Sequence, residues 1–251
     1  MQPTMNIDEP VPGKFVLPVV SRHRRSKRGD GTYQERLALL GKLPASSRGH
    51  IVAVLGEFIG TFLFLFFAFS GTQVASTWAE AGDPSKLLYI SLAFGFSLMV
   101  HVWVFFRVSG GVFNPAVTFG LCFVGALPYV RGGLIVVAQL LGAIASAGVV
   151  SALFPGPLRV QTQLSEGTSI ARGLFIEMFL TAELVFTIFM LAAEKNRATF
   201  IAPVGIGLSL FIAELSGMLR QGDGHCNLTE LQACISPAAP STLLAHLALV
   251  L

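Results

Sequence analysis

The run Arg107-Val108-Ser109-Gly110-Gly111-Val112-Phe113-Asn114-Pro115-Ala116-Val117-Thr118 lies between two apolar segments long enough to be helices. At its centre, Asn114-Pro115-Ala116 pairs a favoured helix N-cap with the residue favoured at the first helical position. No charge occurs from Pro115 to Leu127, so the helix that starts here is apolar. Thirteen helical residues would run about 20 Å, short of a hydrocarbon core of about 30 Å. That length fits a re-entrant half-helix, and irregular backbone at that depth is tolerated only where protein or a water-filled cavity covers it. Such a motif can present hydrogen-bond donors to a cavity. Asn114 offers its side-chain amide, and the helix N-terminus adds a positive potential that opposes protons and cations. The competing reading is an ordinary capped loop helix.

The elements that must hold this motif are visible in the composition. The chain has 251 residues, 53% hydrophobic and only 12% charged, where soluble domains carry about 25% charged residues. With a mean hydropathy of +0.69, the fold class is an all-α membrane protein. Residues 1–49 are polar, basic and rich in Pro and Ser, and are expected to be a largely disordered cytoplasmic tail. Residues 50–217 form the transmembrane domain and residues 218–251 a divergent C-terminal tail. The apolar spans run from Ile51 to about Trp78, Leu87 to Phe106, Gly132 to about Phe154, Gly173 to Ala193 and Ala198 to Leu219. Each is long enough to cross a bilayer. Their few charges are Glu57 in the first, Glu177 and Glu183 in the fourth and Glu214 in the fifth.

Nine of the 17 Lys and Arg precede residue 50. The cluster Arg22-His23-Arg24-Arg25-Ser26-Lys27-Arg28 resembles a nuclear or nucleic-acid signal in isolation. In front of a membrane domain it marks a cytoplasmic tail near anionic lipid. With the tail inside, Lys and Arg divide 13 inside to 4 outside, which is the positive-inside pattern along the whole chain. Glycines throughout the spans predict a tight bundle, because small residues let membrane helices approach closely. Cys122, Cys226 and Cys234 have no metal spacing, His101 has no second ligand nearby, and no nucleotide loop or nucleophile–base pair is visible. An enzyme reading therefore lacks support, and no cofactor is expected.

The spans repeat. Glu57 and Thr61 in the first are matched by Glu177 and Thr181 in the fourth, 120 residues later. Gly95-Phe96-Ser97-Leu98 in the second is matched by Gly207-Leu208-Ser209-Leu210 in the fifth, 112 residues later. Three spans per repeat invert the two halves, with a site expected at the midplane. The repeat calls for a second Asn-Pro-Ala near position 226, where the chain reads Gly224-His225-Cys226-Asn227-Leu228-Thr229. The following stretch from Ser241 to Leu251 is apolar but too short to cross. Asn227-Leu228-Thr229 also forms a glycosylation sequon, which a divergent tail can carry by chance.

These motifs resemble the major intrinsic protein family, the aquaporins, and the phrase Phe105-Phe106-Arg107-Val108-Ser109-Gly110-Gly111 is similar to fungal members. The resemblance covers about residues 51–217. It rests on Gly56-Glu57-Phe58-Ile59-Gly60-Thr61, Ser91-Leu92-Ala93-Phe94-Gly95, Ser109 to Gly120, Ala138-Gln139-Leu140-Leu141-Gly142 and Ala202-Pro203-Val204-Gly205-Ile206-Gly207-Leu208. It implies an inverted-repeat bundle of six spans, two facing half-helices, a homotetramer, and passive passage of water or small neutral solutes without a cofactor. Two departures stand out. The second motif and sixth span are missing from the pattern, as a shifted frame, retained intron or truncated allele would produce, leaving the second repeat incomplete. Glu214 stands where many water channels of the family carry a filter His.

The resemblance also assigns roles. Asn114, Pro115 and Ala116 line the pore. Phe94, 20 residues before Asn114, holds a filter position where an aromatic narrows a water pore and disfavours glycerol; the alternative is lipid or core packing. Glu57 and Glu177, with the Gly110-Gly111 pair, support the re-entrant loops, the alternative for the glutamates being proton relay. Glu214 either shapes the filter, accepts a bond within the bundle or snorkels to the interface. The function implied is a passive water channel of the plasma membrane or an internal membrane, impaired by the missing half-helix. The alternatives are a glycerol or small-solute facilitator and a non-conducting homologue. The charge bias yields a direct test. In sealed vesicles of known sidedness, protease should cut the segment before residue 50 only from the cytoplasmic face; cleavage only from the opposite face would reverse the topology.

Overall fold

Five stretches are long and apolar enough to cross a membrane, and their apolar character extends around every helix face, as suits contact with lipid and protein together. A computed structural model describes residues 45–78, 83–158, 160, 170–194 and 199–218. The expectations for residues 1–44 and for 219–251, the sequon at Asn227 and the final apolar stretch included, lie outside the described residues. The elements are α1 (Ala45–Trp78), α2 (Pro84–Phe105), α3 (Pro115–Phe123), α4 (Tyr129–Leu153), α5 (Ile170–Ile188) and α6 (Ala202–Met218). A π-turn, Phe189–Ala193, extends α5, and a 3-10 turn, Thr199–Ile201, leads into α6.

Two boundaries differ from the sequence expectation. α1 begins at Ala45 rather than Ile51, because an established helix extends through polar residues at little further cost. α3 ends at Phe123, not near Leu127. Gly125, at φ +76°, turns the chain in the left-handed region, and the N–H of Ala126 donates back to Leu121 O at 2.9 Å. A glycine-based C-terminal cap of this kind satisfies carbonyls that the last turn leaves open. At the other end of the bundle, Asp83 caps α2 by accepting from Ser85 N at 2.8 Å, with Pro84 following at the first helical position. Hydrogen bonds from the Ser85 side chain and backbone hold the Asp83 carboxyl below its usual range.

Glycines set the closest approaches. A Cβ on Gly142 of α4 would lie 2.7 Å from Phe58 O and 3.3 Å from Phe62 N of α1. Between α2 and α6 the contact is reciprocal. A Cβ on Gly95 would lie 2.9 Å from Gly207 O and 2.6 Å from Phe211 Cβ, and one on Gly207 would lie 2.6 Å from Gly95 O and 2.5 Å from Met99 Cβ. Gly95 and Met99 are the repeat partners of Gly207 and Phe211, so the pseudo-two-fold relation of the halves passes through this contact. The repeat's serines behave alike too. Ser97 donates from α2 to Phe64 O of α1 at 2.7 Å, and Ser209 donates from α6 to Glu183 Oε2 of α5 at 2.8 Å.

Because the atoms facing Gly207 include backbone, a side chain there cannot be absorbed by a rotamer change. Gly207→Ala should destabilise the purified protein by about 1–3 kcal/mol, the usual cost of overpacking, and lower its melting temperature. Gly148→Ala, which meets nothing within 4 Å, is the control and should leave it unchanged or raised.

Candidate functional site

The loop between α2 and α3 returns into the bundle and must find partners for its backbone. Glu57 of α1, fully buried, supplies them. Its Oε1 accepts from Val112 N at 3.1 Å, and its Oε2 accepts from Phe113 N at 2.9 Å and from Gln139 Nε2 of α4 at 3.0 Å. The Thr118 hydroxyl, on α3, lies 3.0 Å from Asn114 O and 3.1 Å from Gln139 Nε2. It donates to the carbonyl and accepts from the amide. One carboxylate thus ties α1, the loop, α3 and α4 together, and charged acceptors make the stronger bonds.

The loop's shape follows from its residues. Gly110 and Gly111 have φ of +110° and +64°, and a Cβ on Gly111 would crowd the Val102 backbone at 3.3 Å. Phe113 is also left-handed, at φ +48°, a conformation that costs a bulky residue of the order of 1–3 kcal/mol. Its ring is fully buried, pressed against Gly60 and edge-on to Phe105 at 5.9 Å. Gly56, one turn earlier on α1, faces Ser109. The spacing Gly56-x-x-x-Gly60 therefore forms the groove in which the loop lies, with Glu57 between the two glycines. Beyond the loop, Asn114 is extended and caps α3, its Oδ1 accepting from Ala116 N at 2.9 Å. This fixes the oxygen on the helix and turns the amide's NH2 end away from it.

Two cavities meet at this loop. One of about 100 Å³ is lined by Gly110, Gly111, Val112, Ile188, Thr199 and Ile206, among others. A second, of about 20 Å³, shares Gly111, Val112, Ile188 and Ile206 and reaches Asn114, Leu98 and Leu210. The space narrows from the loop side of the bundle toward Asn114. Leu98 and Leu210 are repeat partners, as are Phe64 and Leu184, and all four line the narrow cavity. On α2 the buried stripe continues as Phe94, Leu98 and Val102, and on α6 as Ile206, Leu210 and Glu214. Each is spaced by one turn, and the second stripe is the first displaced by 112 residues. Since α2 and α6 are antiparallel, Phe94 and Glu214 both fall one turn beyond the leucines, away from the loop.

Phe94 is 3% exposed and packs edge-on against Phe64 at 6.4 Å and Phe69 at 6.3 Å. It is inside the bundle, but the narrow cavity's lining does not include it. Glu214 is 1% exposed, so its carboxyl lies within the bundle and not at an interface. Glu177 is half-buried on α5, and the region its repeat position would support falls in residues 219–251, outside the described residues. Pro115 is buried and Ala116 half-buried in the first turn of α3. Gln139, Thr118 and Glu183 carry the interactions that residue-type reasoning left without a role. The signal for Gln139 was present, as an amide in a span with no other strongly polar side chain after Arg131.

If Glu57 holds the loop by hydrogen bonding, Glu57→Gln should free it locally, because an NH2 then faces donors. The amide hydrogens of Val112 and Phe113 should exchange with solvent at least roughly tenfold faster, about 1.4 kcal/mol of lost protection, while those at the centre of α4 stay unchanged. Hydrogen exchange read by mass spectrometry on the purified protein measures both.

Comparison with known proteins agrees with this geometry. The family described as Major intrinsic protein matches residues 45–229. Aquaporin-7 of Botryotinia fuckeliana (strain B05.10) is 54% identical over 87% of this chain and 56% of its own length. Aquaporin-2 of the same fungus is 57% identical over 70% of this chain and 48% of its own. Probable aquaporin-3 of Gibberella zeae (strain ATCC MYA-4620 / CBS 123657 / FGSC 9075 / NRRL 31084 / PH-1) is 51% identical over 74% of this chain and 67% of its own. The chain spans about half the length of the curated relatives it matches first. In fold it is similar to the aquaglyceroporin from Plasmodium falciparum seen by X-ray, at a TM-score of 0.62, with 22% identity, 74% of this chain and 79% of that chain covered. A buried glutamate holding a re-entrant Asn-Pro-Ala helix in an inverted-repeat bundle, and a family match over most of the chain, lead to one conclusion: this is an integral membrane protein of the major intrinsic protein family, the channels for water and small solutes.

Proposed function

We propose that this chain builds a water-selective pore whose donor set is half complete. The observation that carries the reading is the cavity of about 20 Å³ at Asn114. A single water needs roughly 10–15 Å³ of such space, whereas a three-carbon polyol needs several times more. The rest of that cavity's side-chain lining is apolar, so a passing water has Asn114 and the loop backbone as its polar contacts. Phe94 and Glu214 shape the constriction beyond the leucines, with Phe94 disfavouring glycerol. The N-terminal tail faces the cytoplasm, and the chain assembles with copies of itself as its family does.

One half-helix supplies donors from one side only. In this sequence the second Asn-Pro-Ala has no counterpart. α5 is the least buried of the five crossing helices, with 11% of its central window covered against 44–50% in the others. Both observations support poor conduction by the 251-residue chain acting alone. The test is stopped-flow swelling and shrinking of proteoliposomes under sucrose and glycerol gradients. One preparation holds this chain; the other holds equal amounts of a version whose residues after Gly217 are replaced by a family half-helix and sixth span. The completed version should shrink rapidly in sucrose, with low activation energy, and take up little glycerol; the chain as written should be near the lipid background. Equal fast water flux from both would refute the half-complete reading. Rapid glycerol entry through the completed version would refute water selectivity.

A further inference from the structure

Glu57 is a fully buried carboxylate, and its described donors, two backbone N–H groups and the Gln139 amide, are all neutral. A buried charge held only by neutral donors is costly unless an opposite charge lies near it. The candidate is Arg131. It stands in the first turn of α4, two turns before Gln139, on the helix that meets Glu57. A cation in a first turn opposes the dipole of its own helix, so α4 gains nothing electrostatically from having it there. Its Nε is buried and without a hydrogen-bond partner among the described residues, which a surface arginine pairing with solvent would not show. The Arg131 charge is close enough to Glu57 for the two to interact. Its neighbour Gly132 lets Cys122 of α3 come into contact. That contact sets Arg131 beside the last turn of the half-helix, the negative end of the α3 dipole, where a cation is favourable.

We propose that Arg131 is the counter-charge of Glu57, a positioning residue that keeps the buried carboxylate ionised and so keeps the Asn114 loop in its groove. The pair acts through the low-dielectric interior and not through a direct salt bridge, which leaves both Glu57 oxygens available to the loop and to Gln139. The proposal concerns the position of the loop and stands whether or not the chain alone conducts water.

A double-mutant cycle tests it. Arg131→Gln, Arg131→Lys, Glu57→Gln and the double variant Glu57→Gln/Arg131→Gln are purified alongside the parent chain, and their melting temperatures are compared. Arg131→Gln should lower the melting temperature in the parent background and cost less than half as much once residue 57 is neutral. Arg131→Lys, which keeps the charge and changes the hydrogen-bond geometry, should recover most of the loss. Infrared difference spectra should show a protonated carboxyl stretch in Arg131→Gln that is absent from the parent and from the double variant. If Arg131→Gln fails to fold, folding of the double variant supports the pairing, and failure of both overturns it. Equal losses in the two backgrounds, or no rescue by lysine, would overturn it as well.

Discussion

A loop that enters a membrane bundle brings backbone N–H groups that water cannot reach, and the structure depends on how they are satisfied. Each unsatisfied group in hydrocarbon costs several kcal/mol, on the order of 2–7. Glu57 meets this constraint for Val112 and Phe113 with one side chain. A carboxylate is suited to the task because it only accepts, on both oxygens, and so serves two consecutive donors and the Gln139 amide together. A glutamine would bring donors of its own. The requirement that such a charge be buried then reaches outward, to Gln139 and Thr118 on one side and to Arg131 at the start of α4 on the other.

Packing permits what the hydrogen bonds direct. The loop can reach Glu57 only because Gly56 and Gly60 leave a groove on α1, and Phe113 tolerates a left-handed backbone because its ring fills that groove completely. The same device operates at the reciprocal Gly95 and Gly207 contact, where the two halves of the repeat meet backbone to backbone. Small residues act here as they must where lipid gives helices no hydrophobic reason to associate. Close contact between α2 and α6 in turn brings Leu98 and Leu210 together across the space at Asn114.

Much of this was legible in the residues. The spans, the half-helix start at Asn114 and the repeat offset follow from apolar length, capping chemistry and simple spacing. Gly125 even marked the early end of α3, but an uncharged run gives no boundary by itself, so the length was overestimated. The role of Glu57 came from family resemblance, since a glutamate in an apolar span says only that it must have partners. Gln139 and Thr118 stayed without roles because their partnership is tertiary. They lie 21 residues apart and meet Glu57 only after α3 and α4 pack. Arg131 was legible as a charge at a helix end, yet nothing in its sequence neighbours connects it to a carboxylate 74 positions earlier.

The central claim is that the Glu57-held loop aims Asn114 into a wet cavity in an otherwise dry bundle. Solid-state NMR of asparagine-labelled protein in bilayers, with magnetisation transferred from water, tests this directly. The account predicts fast transfer to the Asn114 side-chain nitrogen and slow transfer to the buried Gln139 amide, 0% exposed, recorded in a glutamine-labelled sample. An Asn114 nitrogen as slow to receive water magnetisation as Gln139 would contradict it.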